Sequence, residues 1–250
     1  SSLRPFVPSS LRPFVPSSLR PFVPSSLRPF VPSSLRPLSD PPPIIGIVGG
    51  IGAGKSTVAA ILRDLGCLVC DSDTLARAAL EDPAVVKRVR ERWGERAIGA
   101  EGSVDRRRVA DIVFREPGER QWLESVVHPW IEARRRQLFE KAPPGTPALV
   151  IDAPLLLEAG LDAQCDAVIF VDAPRELRLS RVRTSRGWTD EELALREAAQ
   201  MPLDRKRERA DIVIVNSGDR QRLHSDTEAA LAAIVARGRR RETGSRHRQG

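Results

Sequence analysis

The chain has 250 residues, 41% of them hydrophobic, enough for one or two globular domains, and no apolar run approaches the length of a membrane span. The formal charge of +7 is unevenly spread: residues 1–40 hold five Arg against one Asp, residues 237–250 six Arg against one Glu, and residues 41–236 hold 29 basic and 31 acidic side chains. The basicity thus lies in two tails, which argues against nucleic acid as the main partner, and three cysteines give no disulfide framework and fit a reducing, cytoplasmic compartment.

Residues 1–32 are four copies of S-S-L-R-P-F-V-P, and a fifth decays at Leu38-Ser39-Asp40. Proline at this density forbids helix and weakens sheet pairing, so 1–43 is expected to be an extended, disordered tail without a role of its own. The next stretch organises everything after it. Ile44 to Val48 is a short β-branched run that reads as a buried strand, and Gly49 to Ser56 satisfies G-x-x-x-x-G-K-[ST]. Phosphate oxygens need several backbone N–H groups aimed at one point. A glycine-rich loop running into a helix N-terminus supplies them, together with the positive end of the helix dipole. Gly50, Ile51, Gly52, Ala53, Gly54, Lys55, Ser56 and Thr57 are therefore the nucleotide-binding candidates. Lys55 would reach the outer phosphates and the Ser56 hydroxyl would hold Mg²⁺. The following helix is expected over 55–65, with Gly66 as its stop.

Cys67-Leu68-Val69-Cys70 reads as the second strand, and its C-x-x-C has no second ligand pair at metal spacing, so the thiols read as core residues. The strand ends in Asp71-Ser72-Asp73. In open α/β sheets ligands lie beyond the carboxyl ends of strands, which brings this acidic pair beside the phosphate loop if the two strands are neighbours. A carboxylate there can take the proton of an attacking hydroxyl or approach Mg²⁺, or Ser72 or Asp73 can simply cap a helix over Thr74–Leu80. Residues 74–141 read as an all-helical insertion that would bind the acceptor. Pro129 is expected to kink or restart its last helix, and Arg106–Arg108 and Arg134–Arg136 are expected to be solvated faces.

The third strand, 148–151, ends at Asp152, a candidate carboxylate behind the metal, and the fourth, 167–171, ends at Asp172-Ala173-Pro174. Residues 174–205 then form an arginine-laden helical lid, with Thr189 and Glu192 as a capping box and one or two arginines facing the phosphates. A fifth strand, 212–215, the turn Asn216-Ser217-Gly218 and a helix to about Ala236 complete a parallel five-stranded α/β domain over 44–236, followed by a basic disordered tail over 237–250. No feature fixes an oligomeric state.

In order, Gly49–Thr57, Asp71-Ser72-Asp73, His128-Pro129, Asp152–Glu158, the segment around Arg181, Ala198–Met201, Lys206–Asp211 and Asn216–Gly218 resemble the dephospho-coenzyme A kinases, over roughly 44–235. The resemblance implies a P-loop fold and transfer of the γ-phosphoryl group of ATP, with Mg²⁺, to the ribose 3′-hydroxyl of dephospho-coenzyme A. It implies that Asp73 orients or deprotonates that hydroxyl and that Lys55 and Arg181 stabilise the moving group. Ser56 and Asp152 would serve the metal, and His128 would lie near the acceptor. One departure is Ser185-Arg186-Gly187, where the pattern often has Arg followed by an acidic residue, so no ATP contact is carried onto Arg186. The alternatives are another small-molecule kinase acting on a nucleoside or sugar acid, or a nucleotide-binding switch. A guanine-reading N-K-x-D is missing where the chain reads Val171-Asp172-Ala173-Pro174.

Overall fold

The structure is a computed structural model that describes residues 41–246. The repeats of 1–40 and the last four residues, expected to be tails, lie outside the described residues. Five strands form one parallel sheet in the order β2-β3-β1-β4-β5. They are β1 (Ile44–Gly49), β2 (Leu68–Asp71), β3 (Leu149–Asp152), β4 (Ala167–Asp172) and β5 (Ile212–Val215). β1 begins at Ile44 as expected and runs one residue further, to Gly49; just before it the Pro43 carbonyl accepts from Leu149 N.

Parallel strands buried on both faces need apolar side chains in both directions, and β1 has them. Ile45 and Ile47 are fully buried in a cluster with Val58, Leu62, Ile214 and Ile234. Val48, one residue out of phase, packs on the opposite face with Ile151, Leu156 and Phe170. Burying each such side chain contributes about 1.5–3 kcal/mol, so the strand carrying the phosphate loop is among the most firmly held parts of the molecule. Helices α1 (Lys55–Asp64) and α9 (Arg220–Arg246) pack on the first face. α9 runs ten residues beyond the expected stop at Ala236, so residues 237–246 are helical rather than a disordered tail. Arginine, which fills half of these ten positions, is a good helix former, and no proline interrupts the run, so the helix continues past Gly238 and Gly244.

The first two strands are not neighbours, because β3 lies between them, so the acidic pair after β2 reaches the loop across the end of β3. Asp152 at the end of β3 is registered with Asp71 on one side and with Ile47 on the other.

Helices α2 (Ser72–Ala79), α3 (Pro83–Trp93), α4 (Arg106–Arg115) and α5 (Pro117–Glu140) form the insertion. It has its own core, in which Val85, Val89, Trp93, Val109, Ile112, Val126 and Val127 are buried. The helix caps are acidic: Asp82 accepts from Ala84 N, and Asp105 from Arg107 N and Arg108 N. α5 passes through Pro129 as one continuous helix, since losing one backbone donor does not outweigh the packing on either side. Arg135, expected on a solvated face, is 4% exposed and donates to Gln164 Oε1 at 2.8 Å, because α5 rests on the main body at that point. Among the described residues no helix is long and apolar enough to cross a membrane.

Candidate active site

The carboxyl ends of β1, β2, β3 and β5 open into one cavity of about 1010 Å³. Its lining includes Ile51, Gly52, Gly54, Lys55, Ser56 and Thr57 from the phosphate loop, Asp71 and Asp73 beyond β2, and Asp152 at the end of β3. Two further helices cover it: α6 (Arg175–Arg186), ended by Gly187, and α7 (Asp190–Ala198). The expected capping box is present at α7, with Thr189 and Glu192 bonding reciprocally. Arg181, Arg186, Trp188 and Arg196 reach the cavity from this side.

The loop conformation follows from its glycines. Gly52 and Gly54 have φ of 75° and 97°, values that side chains disfavour. A Cβ on Gly52 would stand 2.7 Å from the Arg178 carbonyl oxygen, and one on Gly54 would collide with the Asn216 amide. Helix α1 begins directly at Lys55; the Thr57 N–H donates to Gly54 O at 3.0 Å, which leaves the N–H groups of Lys55 and Ser56 for an anion.

Lys55 lies across the loop, its Nζ donating to the Gly49 and Gly50 carbonyls at 3.0 and 3.1 Å. Burial pulls its pKa down to about 8, and Lys206 and Arg186 push the same way while Asp152 and Asp73 oppose them. This one ammonium therefore feels a carboxylate at the end of β3, another on α2 and a guanidinium from the covering helices. Burial raises the pKa of Asp152; Lys55 opposes this, and Asp71 and Asp73 add to it. Among the described residues no three His, Cys, Asp or Glu side chains are arranged to hold a metal alone. The donor set fits Mg²⁺ nonetheless. A hard cation takes one hydroxyl and water beside phosphate oxygens, and the three neighbouring carboxylates make the ground electronegative.

Asp71, rather than Ser72 or Asp73, caps α2: its Oδ1 accepts from Asp73 N at 2.9 Å and from Thr74 N at 3.2 Å. This leaves the Asp73 carboxylate, exposed on the first turn of α2, free to face the cavity. Arg181 is where the sequence puts it, but its guanidinium lies on the loop itself. Nη1 donates to Gly52 O and Ala53 O, each at 3.2 Å, and Nη2 to Asn216 Oδ1 at 3.0 Å. Arg178, on the same helix, is 6% exposed and pairs with Glu197 of α7. His128 is not brought to the cavity. It is exposed next to Val126 and Val127, which turn into the insertion core, while Arg120, eight residues earlier on α5, lines the cavity instead.

Sequence reasoning did not single out Arg120, Trp188, Arg196 or Asn216 as site residues. Asn216 had a usable signal, since it immediately follows β5, where the strand-end rule places ligands. Trp188 had none, because its role depends on Arg186 and Arg196, whose guanidinium carbons stand 4.7 and 4.0 Å from its ring centre. The thiols of Cys67 and Cys70 are buried, and burial pushes both to about 11, so they are poor nucleophiles and poor metal ligands.

The family model described as CoaE, dephospho-CoA kinase, matches residues 43–222. A dephospho-CoA kinase of Anaeromyxobacter dehalogenans is 41% identical over 201 residues, covering 79% of this chain and 95% of the relative. One from Deinococcus radiodurans is 41% identical over 194 residues, covering 77% and 93%. A crystal structure of a Thermus thermophilus protein superposes with a TM-score of 0.68 at 39% identity, covering 79% of this chain and 98% of the other. With its phosphate loop, its inserted helices and this breadth of match, the chain belongs to the dephospho-CoA kinase family.

Proposed function

We propose that the protein transfers the γ-phosphoryl group of ATP to the ribose 3′-hydroxyl of dephospho-coenzyme A, giving coenzyme A and ADP, the last step of coenzyme A synthesis. Family membership supports the reaction. The observation that carries its assignment to this site is one cavity lined by Lys55 and Ser56 of the phosphate loop, Asp73 of α2 and Arg120 of the insertion. Nucleotide and acceptor thus have adjoining walls.

The acceptor oxygen attacks the γ-phosphorus. Its proton goes to the Asp73 carboxylate, and the bond from phosphorus to the bridging oxygen breaks, leaving the electron pair on ADP. Charge develops on the outer oxygens, where Lys55 meets it. Lys55 is protonated for this role when phosphates replace the Gly49 and Gly50 carbonyls as its partners, since an anion beside it raises its pKa. Arg181 adds charge from the flank of the loop. Arg186, close enough to depress the pKa of Lys55, adds more from the covering side. The Ser56 hydroxyl would hold Mg²⁺, with Asp152 behind, and the ion would supply neutralisation of phosphate charge there. His128 is left without a part in the chemistry.

The test is ADP release with Mg-ATP and a panel of acceptors: dephospho-coenzyme A, adenosine, nucleoside monophosphates and gluconate. The expected result is a strong preference for the first. Transfer chiefly to another acceptor would overturn the substrate while keeping the loop, and transfer to none of them would overturn the reaction.

A further inference from the structure

Asn216 is 5% exposed and spends three polar groups on holding other elements. Its backbone N–H donates to Asp172 O at the end of β4, 2.7 Å away. Its Nδ2 donates to Ala53 O at 2.8 Å, and its Oδ1 accepts from Arg181 Nη2 at 3.0 Å. Arg181 completes a triangle by donating to Gly52 O and Ala53 O. The carbonyls of two successive loop peptides are therefore gripped from one side, and that of Ala53 is gripped twice.

A trans peptide holds its C=O and N–H antiparallel. Fixing the Ala53 carbonyl on Asn216 and Arg181 thus turns the Gly54 N–H the other way. The Ala53 N–H does not share this role, because it donates to Gly50 O at 3.2 Å inside the loop. Gly54 is also the residue whose Cβ would strike the Asn216 amide, so the loop and the asparagine fit each other with no space for a side chain between them. If Asn216 served only to finish β5, its backbone bond to Asp172 would suffice. The side chain instead reaches across to the phosphate loop, 163 residues away in sequence.

We propose that Asn216 is a positioning residue for phosphoryl transfer: together with Arg181 it holds the Ala53 carbonyl so that the Gly54 N–H faces the nucleotide phosphates. This rests on the reading that nucleotide phosphates occupy the loop. Asn216 touches no reacting atom and acts through the loop peptide.

The experiment measures ADP affinity in the presence of Mg²⁺ by calorimetry on the full chain, and then KM for ATP and for the acceptor. Asn216→Asp is isosteric but sets an oxygen against Ala53 O, so it carries the test even where Asn216→Ala does not fold. Expected are an ADP affinity about tenfold weaker, as for loss of one well-placed hydrogen bond in a buried site, a parallel rise in KM for ATP, and an unchanged KM for the acceptor. Because both residues hold one carbonyl, Asn216→Ala combined with Arg181→Ala is expected to lose less than the product of the single losses. ADP affinity within twofold of the parent in Asn216→Asp, or losses that multiply in the double variant, would overturn the inference. A parent chain that binds no ADP would overturn the reading of the loop as well.

Discussion

The two walls of the cavity are built by different physics. The nucleotide wall is mostly backbone: a loop held in left-handed glycine conformations, a free helix N-terminus, and carbonyls fixed by Lys55, Arg181 and Asn216. It is anchored on β1, the central strand, whose Ile45 and Ile47 are fully buried. The wall we propose for the acceptor is a helical module with a separate core, which includes the edge-on pair Trp93–Trp122, whose ring centroids are 4.9 Å apart. Among the described residues, α3 to α5 meet the cavity through Arg120. One wall therefore depends on a contiguous stretch of chain with little tolerance for side chains. The other depends on packing, and its surface toward the ligand can vary while the module stands.

That contrast can be broken first at Lys55. Lys55→Ala removes charge that acts chiefly in the transition state, and ADP release should fall by at least about 10³-fold; turnover near the parent's would remove the nucleotide wall from the mechanism. The next largest effect should come from the other wall. Trp93→Ala opens a cavity in the insertion core, since Trp93 is 7% exposed and its indole N–H donates to Glu119. It should cost about 3–5 kcal/mol in denaturant unfolding. The folded variant should bind ADP as the parent does, and a matching loss of ADP affinity would mean that the walls are not separable.

Lys55 gives a third test, by pH. Its folded pKa is about 8 against an ordinary 10.5, so below pH 8 the folded state carries the full penalty of holding a buried charge. Between these values the unfolded chain binds more protons, and stability rises with pH until the penalty is gone. Lys55→Met should therefore be more stable than the parent near pH 7, by about 1–3 kcal/mol, with the difference vanishing towards pH 10.5. Burial holds the thiols of Cys67, Cys70 and Cys165 high, which gives the opposite slope, but they are common to both proteins and cancel. A constant difference across that range would show that Lys55 is not buried in the free protein. The smallest effect should be at Arg120, which lines the cavity and pairs with Glu124 on its own helix at 3.0 Å. Arg120→Ala should raise KM for the acceptor by up to about tenfold and leave KM for ATP unchanged.

The same contrast explains what could be read without coordinates. The phosphate loop, the five strands, the capping box at Thr189 and the carboxylates ending β2 and β3 were all legible, because each is a local pattern with a local cause. The strand order was not: adjacency of β1 and β2 is natural in sequence, and only the register places β3 between them. His128 was carried by family pattern alone, and the helix phase of α5 turns it outward. Arg135 read as solvated because its run of charges hides the partner that buries it, Gln164, 29 residues away, and the pairing of Arg178 with Glu197 is hidden in the same way, 19 residues apart. Asn216 read as a turn residue, and its reach to Ala53 is visible only once β5 and β1 share a sheet.

The central claim is that the two walls meet at Asp73, which belongs to the acceptor side yet is close enough to raise the pKa of Lys55. The most direct measurement is Asp73→Asn, with turnover on dephospho-coenzyme A and ADP affinity determined on the same sample. The account predicts that kcat falls by at least about 10² while ADP affinity stays within twofold of the parent, because a proton acceptor is lost and no nucleotide contact is. A variant that keeps its rate but loses ADP affinity would make Asp73 part of the nucleotide wall and contradict the account.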